Sequence, residues 1–130
     1  MQLSMLTAIS PLDGRYGAKT EKLRSIVSEY GLIFYRLYVE IYWLFALSDN
    51  NQLSEIDKLS RNEQAFLKNL LKSFDEKEAH HIKKIEHKIN HDVKAIEYYL
   101  REKLEKHATL HRLCPFIHFA CTSEDINNLA

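Results

Sequence analysis

From Glu21 onward the apolar side chains fall at Leu23, Ile26, Val27, Tyr30, Ile33, Phe34, Leu37, Tyr38, Ile41, Leu44 and Phe45, the three-and-four spacing of one helix face. The pattern predicts a single helix from Glu21 to about Ser48, roughly 40 Å long at 1.5 Å per residue, with Gly31 a tolerated weak point. A compact domain of this size has a radius of gyration of only about 14 Å, so the helix is long for its domain, as elements are that pack against other domains or subunits. Its aromatics, Tyr30, Phe34, Tyr35, Tyr38, Tyr42 and Trp43, fall on more than one face, which reads as packing on several sides rather than as a base-stacking platform. Arg36 and Glu40 interrupt its apolar run.

Residues 1–20 hold Pro11, Gly14 and Gly17 and the turn signal Asp13-Gly14, which makes them the main non-helical segment. Residues 49–60 are polar, with a short helical turn expected among them. Ser60-Arg61-Asn62-Glu63 is a capping-box pattern leading into Ala65, Phe66, Leu70 and Leu71, and Ser73-Phe74-Asp75-Glu76 reads as a second box opening a segment striped by Ile82, Ile85 and Ile89. Asn90 interrupts that segment and is expected to cap the next helix, which carries Val93, Ile96, Tyr99, Leu100 and Leu104. The pattern breaks near His107, and Pro115 is expected to separate a helical turn from residues 116–121. A last helix opens at Thr122 or Ser123 as N-cap, with Glu124 and Asp125 suited to the positive end of its macrodipole. No closing Gly, Pro or basic turn follows, so the chain reads as a piece of a larger protein.

Composition narrows the class. The 130 residues suffice for about one domain with a buried core, and only three Gly and two Pro occur, which favours an all-α fold. Eighteen basic residues balance eighteen acidic ones, so net charge proposes no nucleic-acid partner. Cys114 and Cys121 lie in apolar contexts without a companion pair at zinc spacing and read as reduced core cysteines of a cytoplasmic protein. Neither a secretion signal nor a membrane span is indicated.

Three clusters carry candidate chemistry. Asn90-His91-Asp92 stands at a helix start, where free N–H groups and the dipole suit an anion, although Asp92 in a first turn and Asn90 as a cap are also what an ordinary helix prefers. Thr122-Ser123 places two hydroxyls at another helix start, a cradle for a small carboxylate, whereas capping alone needs one. Arg15-Tyr16 follows a Gly turn and can clamp a phosphate, or Arg15 can simply pair with Asp13. Among seven His residues, His87/His91 and His107/His111 have i,i+4 spacing, but no third ligand is spaced to complete a site, and no metal is expected.

Taken in order, Ser10-Pro11-Leu12-Asp13-Gly14-Arg15-Tyr16, Asn90-His91-Asp92-Val93-Lys94-Ala95-Ile96-Glu97-Tyr98 and His118-Phe119-Ala120-Cys121-Thr122-Ser123-Glu124-Asp125-Ile126-Asn127-Asn128 resemble the N-terminal part of the bacterial adenylosuccinate lyase family, in the fumarase/aspartase superfamily. Thr-Ser-x-Asp by itself recurs through the wider superfamily. The resemblance spans the chain and implies that residues 1–130 form the helical N-terminal domain of that lyase fold, behind a non-helical N-terminal segment, with the central helical bundle and C-terminal domain absent.

The resemblance further implies a cytoplasmic homotetramer of purine biosynthesis that needs no cofactor or metal and eliminates fumarate from adenylosuccinate, giving AMP, and from the succinylocarboxamide ribotide. Carried over by motif, Arg15 and Tyr16 would bind the nucleotide phosphate, Asn90, His91 and Asp92 would line the substrate pocket, and Thr122 and Ser123 would hold a succinyl carboxylate. His91 would support catalysis by positioning and charge stabilisation. Asn90 stands where other branches of the family carry Arg. The family's general acid His and its loop Ser lie in segments outside these residues, so the chain alone is expected to be inactive. Two other readings remain, another fumarate-releasing lyase of the superfamily and a stand-alone helical interaction module.

Overall fold

A computed structural model describes Gln2 and residues 4–130; Met1 and Leu3, two residues of the expected non-helical segment, lie outside the described residues. Among the described residues there are helices and turns and no strand. The chain divides into two compact units, Met1–Leu32 and Ile33–Ala130.

The first unit is a set of turns followed by short helical pieces: α1 (Gly17–Thr20), a 3-10 turn (Glu21–Leu23) and α2 (Arg24–Val27). The expected helix from Glu21 to Ser48 is therefore not one helix. It stops at Ser28, whose backbone is extended at ψ 172°, and restarts as α3 (Glu29–Asp49). Ser28 makes the break itself: its hydroxyl donates to the Arg24 carbonyl and accepts the Gly31 N–H at 3.2 Å, the geometry of an N-cap. Gly31 is a requirement rather than a weak point, because a Cβ there would stand 2.2 Å from the Ile26 carbonyl oxygen. Apolar periodicity alone did not register the break, since Ile26, Val27 and Tyr30 keep phase across it.

The second unit is built around α3. Ile33, Leu37, Ile41, Leu44 and Leu47 form its buried stripe, and Tyr38 and Tyr42 stack on the outer side with ring centroids 4.2 Å apart. The stretch Gly17–Asp49 is long and apolar enough by composition to cross a membrane, yet half of its most apolar window is buried within the fold. Residues 50–59 form turns without the expected helical turn, and they anchor through buried Ile56 and Leu59.

Helix α4 (Arg61–Lys72) opens with the expected capping box: Ser60 accepts the Glu63 N–H while the Glu63 carboxylate accepts the Ser60 N–H at 2.9 Å. The second expected box does not form. Ser73 ends α4 with its N–H bonded to the Asn69 and Leu71 carbonyls, and Asp75 alone caps α5 (Glu76–Ile89) by accepting from Lys77 and Glu78. Helix α5 then packs against α6 (Asp92–Glu105), and Ala79 and Ile82 of the one and Val93, Ile96, Tyr99 and Leu100 of the other are buried. Lys103–Glu78 and His81–Glu102 contacts at 2.8 and 2.7 Å bridge this hairpin.

After α6, the Nδ1 of His107 accepts the Thr109 and Leu110 N–H groups at the entry to a 3-10 helix (Leu110–Phe116) whose N-cap is Thr109. Pro115 lies inside this helix, not after it, and the chain becomes extended at Ile117. Helix α7 (Ser123–Leu129) begins at Thr122 and buries Ile126.

Candidate functional site

The turn between α5 and α6 gives each residue of Asn90-His91-Asp92 a separate task. Asn90 ends α5 in the left-handed region at φ 54° and does not cap α6. The reason is steric: the chain must reverse between two packed helices, and Asn is among the few side chains that tolerate that conformation. His91 is the N-cap instead, its Nδ1 accepting the Lys94 N–H at 3.1 Å. A neutral ring whose Nδ1 accepts carries its proton on Nε2, so His91, half exposed, offers Nε2–H outward. This also separates His87, within α5, from His91, which caps α6. Among the described residues no group of three or more His, Cys, Asp or Glu is arranged to hold a metal ion.

Asp92 turns inward. Its Oδ1 accepts the Val93 N–H at 2.8 Å and its Oδ2 lies 2.7 Å from Nη2 of Arg36, a buried residue of α3. Burial would push the Asp92 carboxyl up, but the Val93 N–H and the Arg36 guanidinium outweigh it and hold it below the usual carboxylate range. The same guanidinium donates from Nε to Asn127 Oδ1 of α7 at 2.9 Å. Arg36 therefore ties the start of α6 to α7.

One turn along α3, Glu40 is fully buried and holds the segment before α7. Its Oε2 accepts the His118 backbone N–H at 3.1 Å, and its Oε1 lies 2.6 Å from His118 Nδ1. Burial raises the Glu40 carboxyl above its ordinary value, against the pull of His118. His118 and Ala120 both sit in the left-handed region, at φ 60° and 59°, and the indole Nε1–H of Trp43 donates to the Phe119 carbonyl at 2.7 Å. Strained backbone held from one side in this way is typical of segments that position ligands.

At the start of α7 the two hydroxyls differ. Thr122 is committed to a capping box, its Oγ1 donating to Asp125 Oδ2 at 2.8 Å and accepting the Asp125 N–H at 3.4 Å. The Thr122 backbone N–H and its hydroxyl hold the Asp125 carboxyl low. Among the described residues no partner takes the Ser123 hydroxyl, so it is the one available to a ligand. Cys121, just before Thr122 in the chain, has its thiol pushed up by burial. Arg15 and Tyr16 belong to the first unit, both exposed, with the Arg15 guanidinium 5.4 Å from the centre of the Tyr16 ring and Lys19 also near it at 5.7 Å. An Arg15–Asp13 pairing is not among the described ion pairs.

Arg36, Glu40, His118 and Asn127 were given no site role from the sequence, although His118 and Asn127 lie within its third motif. The available signal was the pair Arg36 and Glu40, two opposite charges four residues apart inside an otherwise apolar run. A charge persists at such positions when it has a partner, and here both have one.

A family model described as "Lyase" matches residues 14–130, and the chain belongs to that family. Among curated relatives, it is 52% identical over all 130 residues to an adenylosuccinate lyase of Buchnera aphidicola subsp. Schizaphis graminum. It is 53% identical over 128 residues, 98% of the chain, to the Vibrio cholerae adenylosuccinate lyase, and 50% identical over its whole length to that of Escherichia coli K12. In each case the chain spans 28% of the relative's length.

Proposed function

We propose that these residues form part of the active site of a carbon–nitrogen lyase that eliminates fumarate from adenylosuccinate to give AMP, and from the succinylocarboxamide ribotide in purine biosynthesis. The observation that carries this reading is the identity, about half over the whole chain, with relatives named adenylosuccinate lyase. The meeting of the His91-Asp92 turn and α7 at one buried guanidinium supports it.

In this reading Arg15 and Tyr16 bind the phosphate, and Asn90, His91 and Asp92 line the pocket. His91 supports catalysis as a donor through Nε2–H. The Ser123 hydroxyl holds a succinyl carboxylate, and Thr122, committed to the cap of α7, positions it. Elimination removes the proton beta to the departing amine and protonates the leaving nitrogen, so negative charge gathers on the adjacent carboxylate between the two steps. Donors aimed at that carboxylate stabilise it where it forms. Asp92, already bound to Arg36 and Val93, acts by orientation and is not the base. The general acid and base come from outside these 130 residues, which alone release no fumarate. The working enzyme is a cytoplasmic homotetramer with no nucleic-acid or membrane partner, a reading in which the balanced charge supports the absence of a nucleic-acid partner.

The test is an assay of the protein made from the complete reading frame. Adenylosuccinate is expected to yield AMP and fumarate in equal amounts. Turnover of argininosuccinate but not adenylosuccinate would assign the chain to another branch of the superfamily.

A further inference from the structure

Glu40 makes no contact with solvent, yet it sits directly beneath the segment that leads into α7. A buried carboxylate in a helix core is costly unless its oxygens are satisfied, and an apolar residue of the same size would ordinarily serve the core better. Both oxygens of Glu40 are spent on a single residue, one on the backbone N–H of His118 and one on its ring Nδ1. His118 makes this paired contact from a left-handed backbone at φ 60°. We infer that Glu40 is a positioning residue, which fixes the ring of His118 with Nδ1 protonated and leaves Nε2 as the atom presented to the substrate.

The consequence is chemical as well as geometric. His91 is set by its capping bond with Nδ1 accepting, so its Nε2 is a donor. His118 is set the opposite way, so the neutral ring offers a lone pair at Nε2. Two imidazoles of one unit are thus fixed in opposite tautomers by different local devices, a helix cap and a buried carboxylate. The other ionisable groups around the pair are Glu97 of α6, Cys121 and Asp125 of α7. None of them takes the place of Glu40 at Nδ1. This orienter and ring arrangement is the one that sets imidazole tautomers in hydrolytic triads, where replacing the carboxylate by its amide leaves the ring in place but in the wrong tautomer.

The effect on activity rests on the proposed lyase reading, whereas the tautomer does not. In the full-length protein E40Q is expected to lower kcat/KM for adenylosuccinate on the order of tenfold or more, and H118A to do the same. Introducing E40Q into H118A is expected to cost nothing further, since Glu40 acts through a ring already gone. E40D, which keeps a carboxylate, is expected to retain more activity than E40Q and provides the same cycle where E40Q does not fold. Independently, solid-state spectra of the wild-type full-length protein labelled with 15N in histidine are expected to place a proton on His118 Nδ1. A His118 ring protonated at Nε2 only, full activity in E40Q, or losses that multiply in the double variant would each overturn the inference. Wild-type protein that releases no fumarate would instead overturn the lyase reading, with the ring spectra still deciding the role of Glu40.

Discussion

Arg36 stands 2.7 Å from the carboxylate of Asp92 and, through its Nε, 2.9 Å from the side-chain oxygen of Asn127. One buried cation in α3 thus joins residues from two motifs that are far apart in the chain.

Replacing Arg36 by Leu leaves Asp92 and Asn127 without their shared partner. Hydrogen bonds to charged groups contribute about 1.5–3 kcal/mol each, and Asp92 is half exposed, so a loss of about 2 kcal/mol is expected. Urea unfolding of wild type and variant measures it. Arg36→Lys, which cannot donate to both partners with one planar group, is expected to fall between them.

Thr122 and Ser123 separate capping from binding. Thr122→Ala removes an N-cap and is expected to cost about 1 kcal/mol in thermal or urea unfolding. Ser123→Ala is expected to leave stability close to wild type while weakening KM for the succinyl substrate in the full-length protein. Equal losses of stability in both variants would contradict the division of labour between the hydroxyls.

The Glu63–Arg112 pair predicts a pH dependence. Arg112 Nη1 lies 2.6 Å from Glu63 Oε1, and Nη2 lies 3.3 Å from Oε2. Burial opposes ionisation of Glu63, but the bonds from Arg112 and from the Ser60 N–H and hydroxyl win and bring it from 4.5 down to about 2. A depressed carboxyl stabilises the fold above its unfolded value, so the contribution is complete above about pH 4.5 and disappears as pH falls toward 2. Its size is about 3 kcal/mol. Unfolding free energies between pH 6 and pH 2 are expected to fall less steeply in Glu63→Gln than in wild type, with the difference located in that window.

Asn90 tests the reversal between α5 and α6. Asn90→Gly, free of any Cβ, is expected to change stability by a few tenths of a kcal/mol, whereas Asn90→Ala is expected to cost about 1 kcal/mol because φ 54° is unfavourable for it. Chemical denaturation of the two variants provides the comparison.

The helical class, the Ser60 box and the Thr122 cap were legible because each is a local property of residue type and spacing. Three local signals misled. Ser73 and Asp75 both suit an N-cap, and only packing decides which is used. Asn90 suits both the end of one helix and the start of the next, and the reversal selected the end. Ser28 lies in an unbroken apolar period, and the break became visible only through the approach of Gly31 to Ile26. Arg36 and Glu40 were visible as charges in an apolar run, but their partners lie at sequence separations of more than fifty residues, beyond any periodicity.

The interruption at Ser28 has a consequence for how the chain tolerates change. Because α3 begins afresh from that cap, the direction in which Arg36 and Glu40 point is counted from Ser28 and not from the start of the chain. An amino acid inserted in the turns upstream leaves both side chains aimed at Asp92 and His118. One inserted within the first turn of α3 rotates both by about 100° and disconnects them together. Length variation among related chains should therefore accumulate before Ser28 and stop there.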